Sequence, residues 1–323
     1  MFKTRRILGC FAAIAGATLL AGNVAAADLE VPAAAPATPD VPFELLFGVK
    51  GTTNYIFRGI SQSNNKPVIQ GYAEAQFFNN FLYAGFFYSK VDLVTKPSCE
   101  CDFTAGIRPK FGPLTFDFGY ILYGYPNERR LLSPDYTTYT NYLTGASFDA
   151  PIYLTPKNTD FGEVHAAVTY NAHDTYILGA GVYYAWNWLG TGAPGTYVNA
   201  TAKYNVPEGF LGFMPSGLSV SGELGYYDLG YVNSRLAVTS YGTPLKLKSY
   251  TTWNVGAAYT YKNLTLDLRY YDTNLNKGDC YLNTSDPQGT ATGSGQSKWC
   301  GAAFVATLSA DFTLSGLKDL LPR

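Results

Sequence analysis

From Phe43 to Phe312 the chain is a succession of segments in which apolar and polar side chains take turns. In Leu264 to Thr273, Leu264, Leu266, Leu268 and Tyr270 alternate with Thr265, Asp267, Arg269 and Tyr271. In Thr252 to Lys262, Trp253, Val255, Ala257, Tyr259 and Tyr261 share one parity, and Asn254, Thr260 and Lys262 share the other. Successive side chains of an extended strand point to opposite faces, so this period of two predicts strands with one apolar and one polar face. The expected strands cover 43–57, 67–78, 81–91, 101–110, 113–124, 161–170, 176–187, 196–206, 217–229, 251–262, 264–273 and 303–312.

The connections between these strands alternate as regularly as the side chains. Asn79-Asn80, Phe111-Gly112, Asn171 to Thr175, Lys262-Asn263 and the somewhat longer Pro207 to Ser216 are short. Between them lie the long polar connections Arg58 to Lys66, Asp92 to Glu100, Tyr125 to Asp160, Trp188 to Gly195, Gly230 to Tyr250 and Asn274 to Ala302. A soluble sandwich has no reason to obey such a rule. An outer-membrane barrel does, with short periplasmic turns and long extracellular loops. In lipid every backbone N–H and C=O must be paired internally, so a sheet survives there only when closed. The expected fold is therefore an all-β, antiparallel up-and-down transmembrane barrel of about twelve strands with both termini periplasmic.

The start of the chain fits export. Lys3, Arg5 and Arg6 precede an apolar stretch from Ile7 to Ala21, and Ala25-Ala26-Ala27 gives a small-residue cleavage site before Asp28. Residues 1–27 are thus expected to be a signal peptide, and 28–42, with VPAAAPATPDVP, a Pro/Ala-rich periplasmic linker. The barrel follows over 43–312 and a periplasmic tail over 313–323. No later run approaches the roughly 20 apolar residues of a membrane-spanning helix. Aromatic residues make up 16% of the chain, mostly Tyr, and charged residues only 15%, a balance suited to membrane interfaces rather than to a soluble domain. The net charge of −1 and the lack of a basic patch exclude nucleic acid as an expected partner.

Four cysteines follow the cleavage site: Cys99, Cys101, Cys280 and Cys300. Export favours disulfides over metal ligation. Cys280 and Cys300 flank one Gly/Ser/Thr-rich stretch that they could staple; Cys99 and Cys101 could bond each other or pair across to the other two. All three connectivities stay open at this point.

Placing the apolar faces outward puts the polar faces in the lumen. The candidate pore-lining residues are Glu74, Arg108, Asp117, Glu163, His165, Lys203, Glu223, Asp267, Arg269 and Asp311, with Asp102, Lys110 and Lys262 on the same faces. So mixed a lining predicts no strong ion selectivity, and twelve strands predict a narrow lumen. Arg58-Gly59 reads as a corner at the rim: Arg58 is a further pore-lining candidate, and Gly59 permits a sharp bend. Equally, Ser61 and Gln62 could order the first loop by hydrogen bonds. Tyr120, Tyr123 and Tyr125 read as an interface girdle.

The run Asn54-Tyr55-Ile56-Phe57-Arg58-Gly59-Ile60-Ser61-Gln62-Ser63, followed by Lys66-Pro67 and Gln70-Gly71, resembles the start of the TorF-like porin family. Gly119 to Pro126, Asp160 to Val164 and Gly225 to Asp228 resemble further stretches of that family. The resemblance implies an outer-membrane barrel with no catalytic residues to carry over. Two departures stand out: an insertion between Asn127 and Thr159, and the tail Ser315 to Arg323 after the terminal-strand aromatic Phe312.

Catalytic chemistry finds little footing. The only histidines are His165, mid-strand beside Glu163, and His173, in the turn Asn171-Ala172-His173-Asp174. No enzyme activity, cofactor or metal is expected. The expected function is passive diffusion of small solutes through a narrow polar lumen; the alternative is a structural or surface-interaction barrel whose lumen is plugged and whose loops do the work. Outer-membrane lipids, the barrel-assembly machinery and small solutes are the expected partners, and a homo-oligomer is left open.

Overall fold

The computed structural model describes residues 42–129, 132–140, 147–153, 156, 158–209, 216–233 and 245–318. The leader, the linker up to residue 41 and the last five residues of the tail lie outside them. The wall consists of β1 (Phe43–Thr52), β2 (Val68–Phe77), β3 (Leu82–Ser89), β4 (Glu100–Ile107), β5 (Leu114–Gly124), β6 (Phe161–Asn171), β7 (Tyr176–Ala185), β8 (Gly195–Asn205), β9 (Leu218–Leu229), β10 (Tyr250–Tyr261), β11 (Leu264–Thr273) and β12 (Ala303–Thr313). Each pairs antiparallel with its neighbours in sequence, and β12 pairs with β1, Thr313 opposite Leu46 and Thr307 opposite Thr52. The result is a closed twelve-stranded barrel, which leaves the wall no unpaired edge.

Every expected strand is present, with one overrun. The expected first strand runs on through Tyr55-Ile56-Phe57, but β1 stops at Thr52. Ile56–Phe57 instead folds back on Ile60–Ser61 as a two-residue hairpin off the wall. The short turns are made by residues in the left-handed region, among them Asn79, Asn80, Asp174 and Lys262, whose φ lies between 54° and 62°. These turns and both ends of the barrel chain gather at one end, here called the turn end. Loop 1 (53–67), loop 2 (90–99), loop 3 (125–160), loop 4 (186–194), loop 5 (230–249) and loop 6 (274–302) gather at the other.

Parity along the strands sorts the side chains. Each strand carries at least one large apolar side chain exposed on the outside, for instance Val49, Ile69, Phe103, Leu178, Leu224, Val255, Leu268 and Leu308. The opposite parity faces inward and is polar. Among the described residues no helix is long and apolar enough to cross a membrane. Position along the strands also corrects four readings, those of Tyr123, Tyr125, Lys110 and Lys262. Tyr120 is exposed on the outer wall, but Tyr123 lies an odd step away and points inward, fully buried, while Tyr125 is buried among the loops. Lys110 and Lys262 are exposed at the turn end instead of facing the lumen: Lys110 sits in a two-residue strand, Lys110–Phe111, paired with Leu114 and Thr115, and Lys262 lies in the turn between β10 and β11.

Beyond the wall, the insertion in loop 3 forms its own two-stranded sheet, Leu132–Thr140 with Ser147–Tyr153. Loop 6 holds α1 (Lys277–Thr284) and α2 (Pro287–Ala291). Asn276 caps the first by accepting from Asp279 N at 2.8 Å, and Asp286 caps the second by accepting from Gln288 N at 2.9 Å. A third helix, α3 (Leu314–Lys318), follows β12.

The disulfides are local: Cys99 with Cys101, and Cys280 with Cys300. The second closes loop 6 across a separation of 20 residues. Constraining a loop of that order stabilises its folded form by about 3 kcal/mol. Replacing Cys280 and Cys300 by serine is expected to leave the barrel folded but to open loop 6 to limited proteolysis at least tenfold faster, read by gel and mass spectrometry.

Candidate functional site

Loop 1 does not extend away from the barrel; it dips into it. Asn54 is the hub of the fold-back, its Oδ1 accepting from Ser61 Oγ at 2.7 Å and from Ser63 Oγ at 3.0 Å while its amide donates to Asn65 Oδ1 at 2.9 Å. Gln62 Nε2 donates to Ile60 O at 3.0 Å, so both residues expected to order this loop do so. The tip, Arg58-Gly59, takes left-handed φ values of 45° and 83°. Gly59 passes so close to the wall that a Cβ there would lie 2.4 Å from Thr252 Oγ1 and from Thr273 Cγ2. Gly59→Ala is therefore expected to push the tip inward off the wall and to lower the temperature at which the folded band disappears in heat-modifiability gels, a shift read against Gly51→Ala, whose site is open.

Inside the barrel the tip is locked by charge. Arg58 Nη1 and Nη2 donate to Glu163 Oε1 and Oε2 of β6 at 2.7 and 2.8 Å, with the two side chains only 1% and 0% exposed. Tyr123 and Tyr227 hydroxyls donate to the same carboxylate at 3.0 and 3.3 Å, and Tyr250 donates to Arg58 O at 3.0 Å. The guanidinium carbon lies 4.4 Å from the Tyr197 ring centre and 5.0 Å from those of Tyr183 and Tyr227. A forked cation among aromatic faces, held by a carboxylate, uses every feature that distinguishes Arg from Lys. Tyr55 inserts beside it and donates to Glu100, and burial raises its hydroxyl pKa well above the ordinary value, Glu100 adding to the effect. Loop 6 lies over this arrangement: Ser61 N donates to Trp299 O at 2.8 Å and the Trp299 indole donates to Asn64 Oδ1 at 3.0 Å.

Loop 2 is tied in at the rim. Asp92 accepts from Lys66 Nζ at 2.7 Å and from Asn64 Nδ2 at 3.2 Å, and pairs with Lys96 as well. Partial burial pushes the Asp92 carboxyl up, but the hydrogen bonds from Lys66, Lys96 and Asn64 outweigh it and hold the pKa down at about 2. A carboxyl lowered on folding contributes stability above its unfolded pKa of about 3.9 and loses it as pH falls through the folded value. Both lysines are exposed, so the contribution is small. Pepsin cleavage in loops 1 and 2 is expected to quicken between pH 4 and pH 2 in the native chain, and to be equally fast at both in Asp92→Asn.

The turn-end half of the lumen carries two polar networks on facing arcs of wall. On one, Arg108 forks onto Glu74 at 2.6 and 3.0 Å, donates to Asn80 Oδ1 at 3.0 Å, and donates through Nε to Asp117 at 2.8 Å. Tyr83 donates to Asp117 at 2.7 Å and lies flat against the Arg108 guanidinium, while His165 Nε2 is 3.1 Å from Asp117. On the other, Arg269 donates to Asp267, Asn254 and Ser221, and Asn254 donates onward to Glu223, which also takes the Tyr197 hydroxyl. Lys203 is buried on this arc; Asp311 accepts from Tyr72 at 2.9 Å between β12 and β2. Asp102 is buried next to Glu100.

The candidate residues of the wall thus point inward, and most are tied to partners rather than standing as a row of separate charges: Arg58, Glu74, Arg108, Asp117, Glu163, Asp267 and Arg269 by ion pairs, and His165, Glu223 and Asp311 by hydrogen bonds. The six tyrosines that organise the centre, Tyr55, Tyr123, Tyr183, Tyr197, Tyr227 and Tyr250, were missed as lumen residues. For four of them parity was the available signal: Tyr197, for example, shares its face with Asn199, Thr201 and Lys203. Among the described residues, no group of three or more His, Cys, Asp or Glu side chains is placed to hold a metal ion. Among the described residues the orphaned buried donors include Asn80 Nδ2 and the indole N–H of Trp188, the latter residue 6% exposed. Such a group costs roughly 1–3 kcal/mol.

A family model described as a bacterial protein of unknown function, Gcw_chp, matches residues 36–300. No curated protein matches the chain. Among solved structures it is similar to the KdgM porin, at 9% identity over 83% of this chain and 99% of that one, with a TM-score of 0.40. It is also similar to an outer-membrane channel from Pseudomonas putida F1, at 10% identity over 86% and 97% with a TM-score of 0.41. A third likeness is to OmpT of Vibrio cholerae, at 8% identity over 86% and 100% with a TM-score of 0.36. Likenesses this distant say nothing of solute or mechanism.

Proposed function

The chain belongs to the Gcw_chp family of bacterial proteins of unknown function, and on that footing we propose that it is a porin-like channel of the bacterial outer membrane in which loop 1 is the gate. Placement in a membrane is supported by the wall. Strands of 8 to 12 residues, closed without an edge and studded outside with exposed Leu, Val, Phe and Tyr, match the length and surface of a spanning barrel. Short connections at one end and long loops at the other support a periplasmic turn end and an extracellular loop end. The resemblance of the 54–71 stretch to TorF-like porins points the same way.

The observation that carries the gate is the buried Arg58–Glu163 fork, which seats loop 1 across the loop-end half of the lumen. In this conformation the polar lumen below is closed from outside. Small solutes pass when the tip leaves. The charged networks of the turn-end half are mixed in sign and mutually neutralising, so the open channel discriminates weakly between cations and anions.

The same fork also supports a second reading, a permanently plugged barrel whose loops are its working surface. Planar-bilayer recording of refolded, heat-modifiable protein separates the two. Discrete openings from a mostly closed baseline, with reversal potentials near zero in a salt gradient, support the channel. A bilayer silent for native chain and Arg58 variants alike overturns it in favour of the plugged barrel.

A further inference from the structure

At the loop end, on the outer side of the seated tip, the chain encloses a cavity of about 80 Å³. We propose that it is a binding site for a small, uncharged, flat aromatic molecule carrying one hydrogen-bond acceptor.

The lining sets each part of that description. Six parts of the chain converge on the cavity: Phe57 from loop 1, Leu93 from loop 2, Tyr125 from loop 3, Trp188 from loop 4, Trp299 from loop 6 and Tyr227 from the wall. A cavity needs about 10–15 Å³ to hold one water, so this one has room for a ring-sized molecule along its open side. Aromatic walls set at an angle, with the Trp188 ring edge-on to Tyr227 at 6.0 Å, favour a flat partner that stacks. Among the described residues no charged side chain lines it, and Arg58, at the tip of loop 1, is already forked onto Glu163. A charged ligand would lose its hydration without compensation.

Most polar groups at the edge are already satisfied within the chain. Ser61 Oγ donates to Asn54, Gln62 Nε2 to Ile60 O, Asn283 Nδ2 to Lys248 O and Thr284 Oγ1 to Cys280 O. A sugar, with hydroxyls on every edge, would find few partners here. Among the described lining residues the buried side-chain donor left without a partner is the Trp188 indole N–H. A single acceptor on the ligand, brought beside the indole by a small shift of the ring, satisfies it. The site stands whether or not the barrel conducts, because it is built from the loops and the strand ends beneath them and not from the lumen.

Acetophenone, uncharged and flat with one carbonyl, is the probe, and toluene is its match without an acceptor. Equilibrium dialysis against folded, heat-modifiable protein in detergent reads saturable uptake of one molecule per chain. Trp188→Phe keeps the ring and removes the donor; it is expected to weaken acetophenone about tenfold and to leave toluene unchanged. Leu93→Trp fills the cavity and is expected to abolish saturable uptake of both; if it does not fold, Thr284→Trp fills the space from loop 6 with the same readout. Uptake that is unsaturable and identical in the native and filled proteins is micelle partitioning only and overturns the site. Saturable uptake with the same acetophenone-to-toluene ratio in Trp188→Phe overturns the assignment of the ligand class.

Discussion

Replacing Arg58 by alanine is expected to turn a mostly closed barrel into a frequently open one. The substitution leaves Glu163, fully buried, with two tyrosine hydroxyls and no cation. Removing one partner of a buried pair costs about 3–5 kcal/mol, mostly the penalty of the charge left behind. The wall has its own continuous ladder of strand pairs and does not depend on the fork. Loop 1, in contrast, is a small unit that can open locally, so the cost is relieved by the tip leaving the lumen and water reaching Glu163. Open probability in planar bilayers rises by at least tenfold, while the unfolding midpoint of the wall moves little. Arg58→Lys keeps the charge but loses the fork and the stacking, and falls between. Arg58→Met with Glu163→Gln removes both charges and is expected to close the channel again relative to either single variant, which a simple loss of contact would not do.

Arg108→Ala is the complementary case: a large loss of stability with no gating phenotype. Arg108 binds Glu74, 0% exposed on β2, and Asp117 on β5, so it ties strands that are not neighbours. Asp117 keeps Tyr83 and His165 as partners; Glu74 keeps only Gln76. The expected cost is again about 3–5 kcal/mol, but here it falls on the wall itself. The urea midpoint for loss of the heat-modifiable band drops, and conductance of the molecules that do fold is unchanged. An unchanged midpoint would mean that the network is ornamental; an increased open probability would mean that the turn-end half also gates.

The barrel was legible in the chain because its two rules are local. Alternation needs only neighbours in sequence, and the short/long rhythm of connections needs only the strand ends. Where reading stopped at the local level it erred by small amounts: β1 ran on through Phe57 because the fold-back preserves apolar spacing, and Tyr123 was grouped with Tyr120 against its own parity. Lys110 and Lys262 continued the alternation to the turn end, where side chains meet solvent rather than the lumen. The candidate site was legible only in its parts. Arg58, Glu163 and Gly59 were each singled out, but Arg58 and Glu163 are 105 residues apart, and no periodicity joins a loop to a distant strand. The pairing of cysteines has the same character: four residues allow three connectivities, and only the fold selects Cys99–Cys101 and Cys280–Cys300.

Hydrogen–deuterium exchange of the peptide spanning residues 54–62 tests the seating of loop 1 most directly. Within it Tyr55 N donates to Ser63 Oγ, Ser61 N to Trp299 O and Gln62 N to Tyr55 O. In the native, refolded barrel this peptide is expected to exchange as slowly as the wall strands, and in Arg58→Ala to exchange within seconds while the strands stay protected. Exchange within seconds in the native barrel would contradict a loop held in the lumen, and with it the gate.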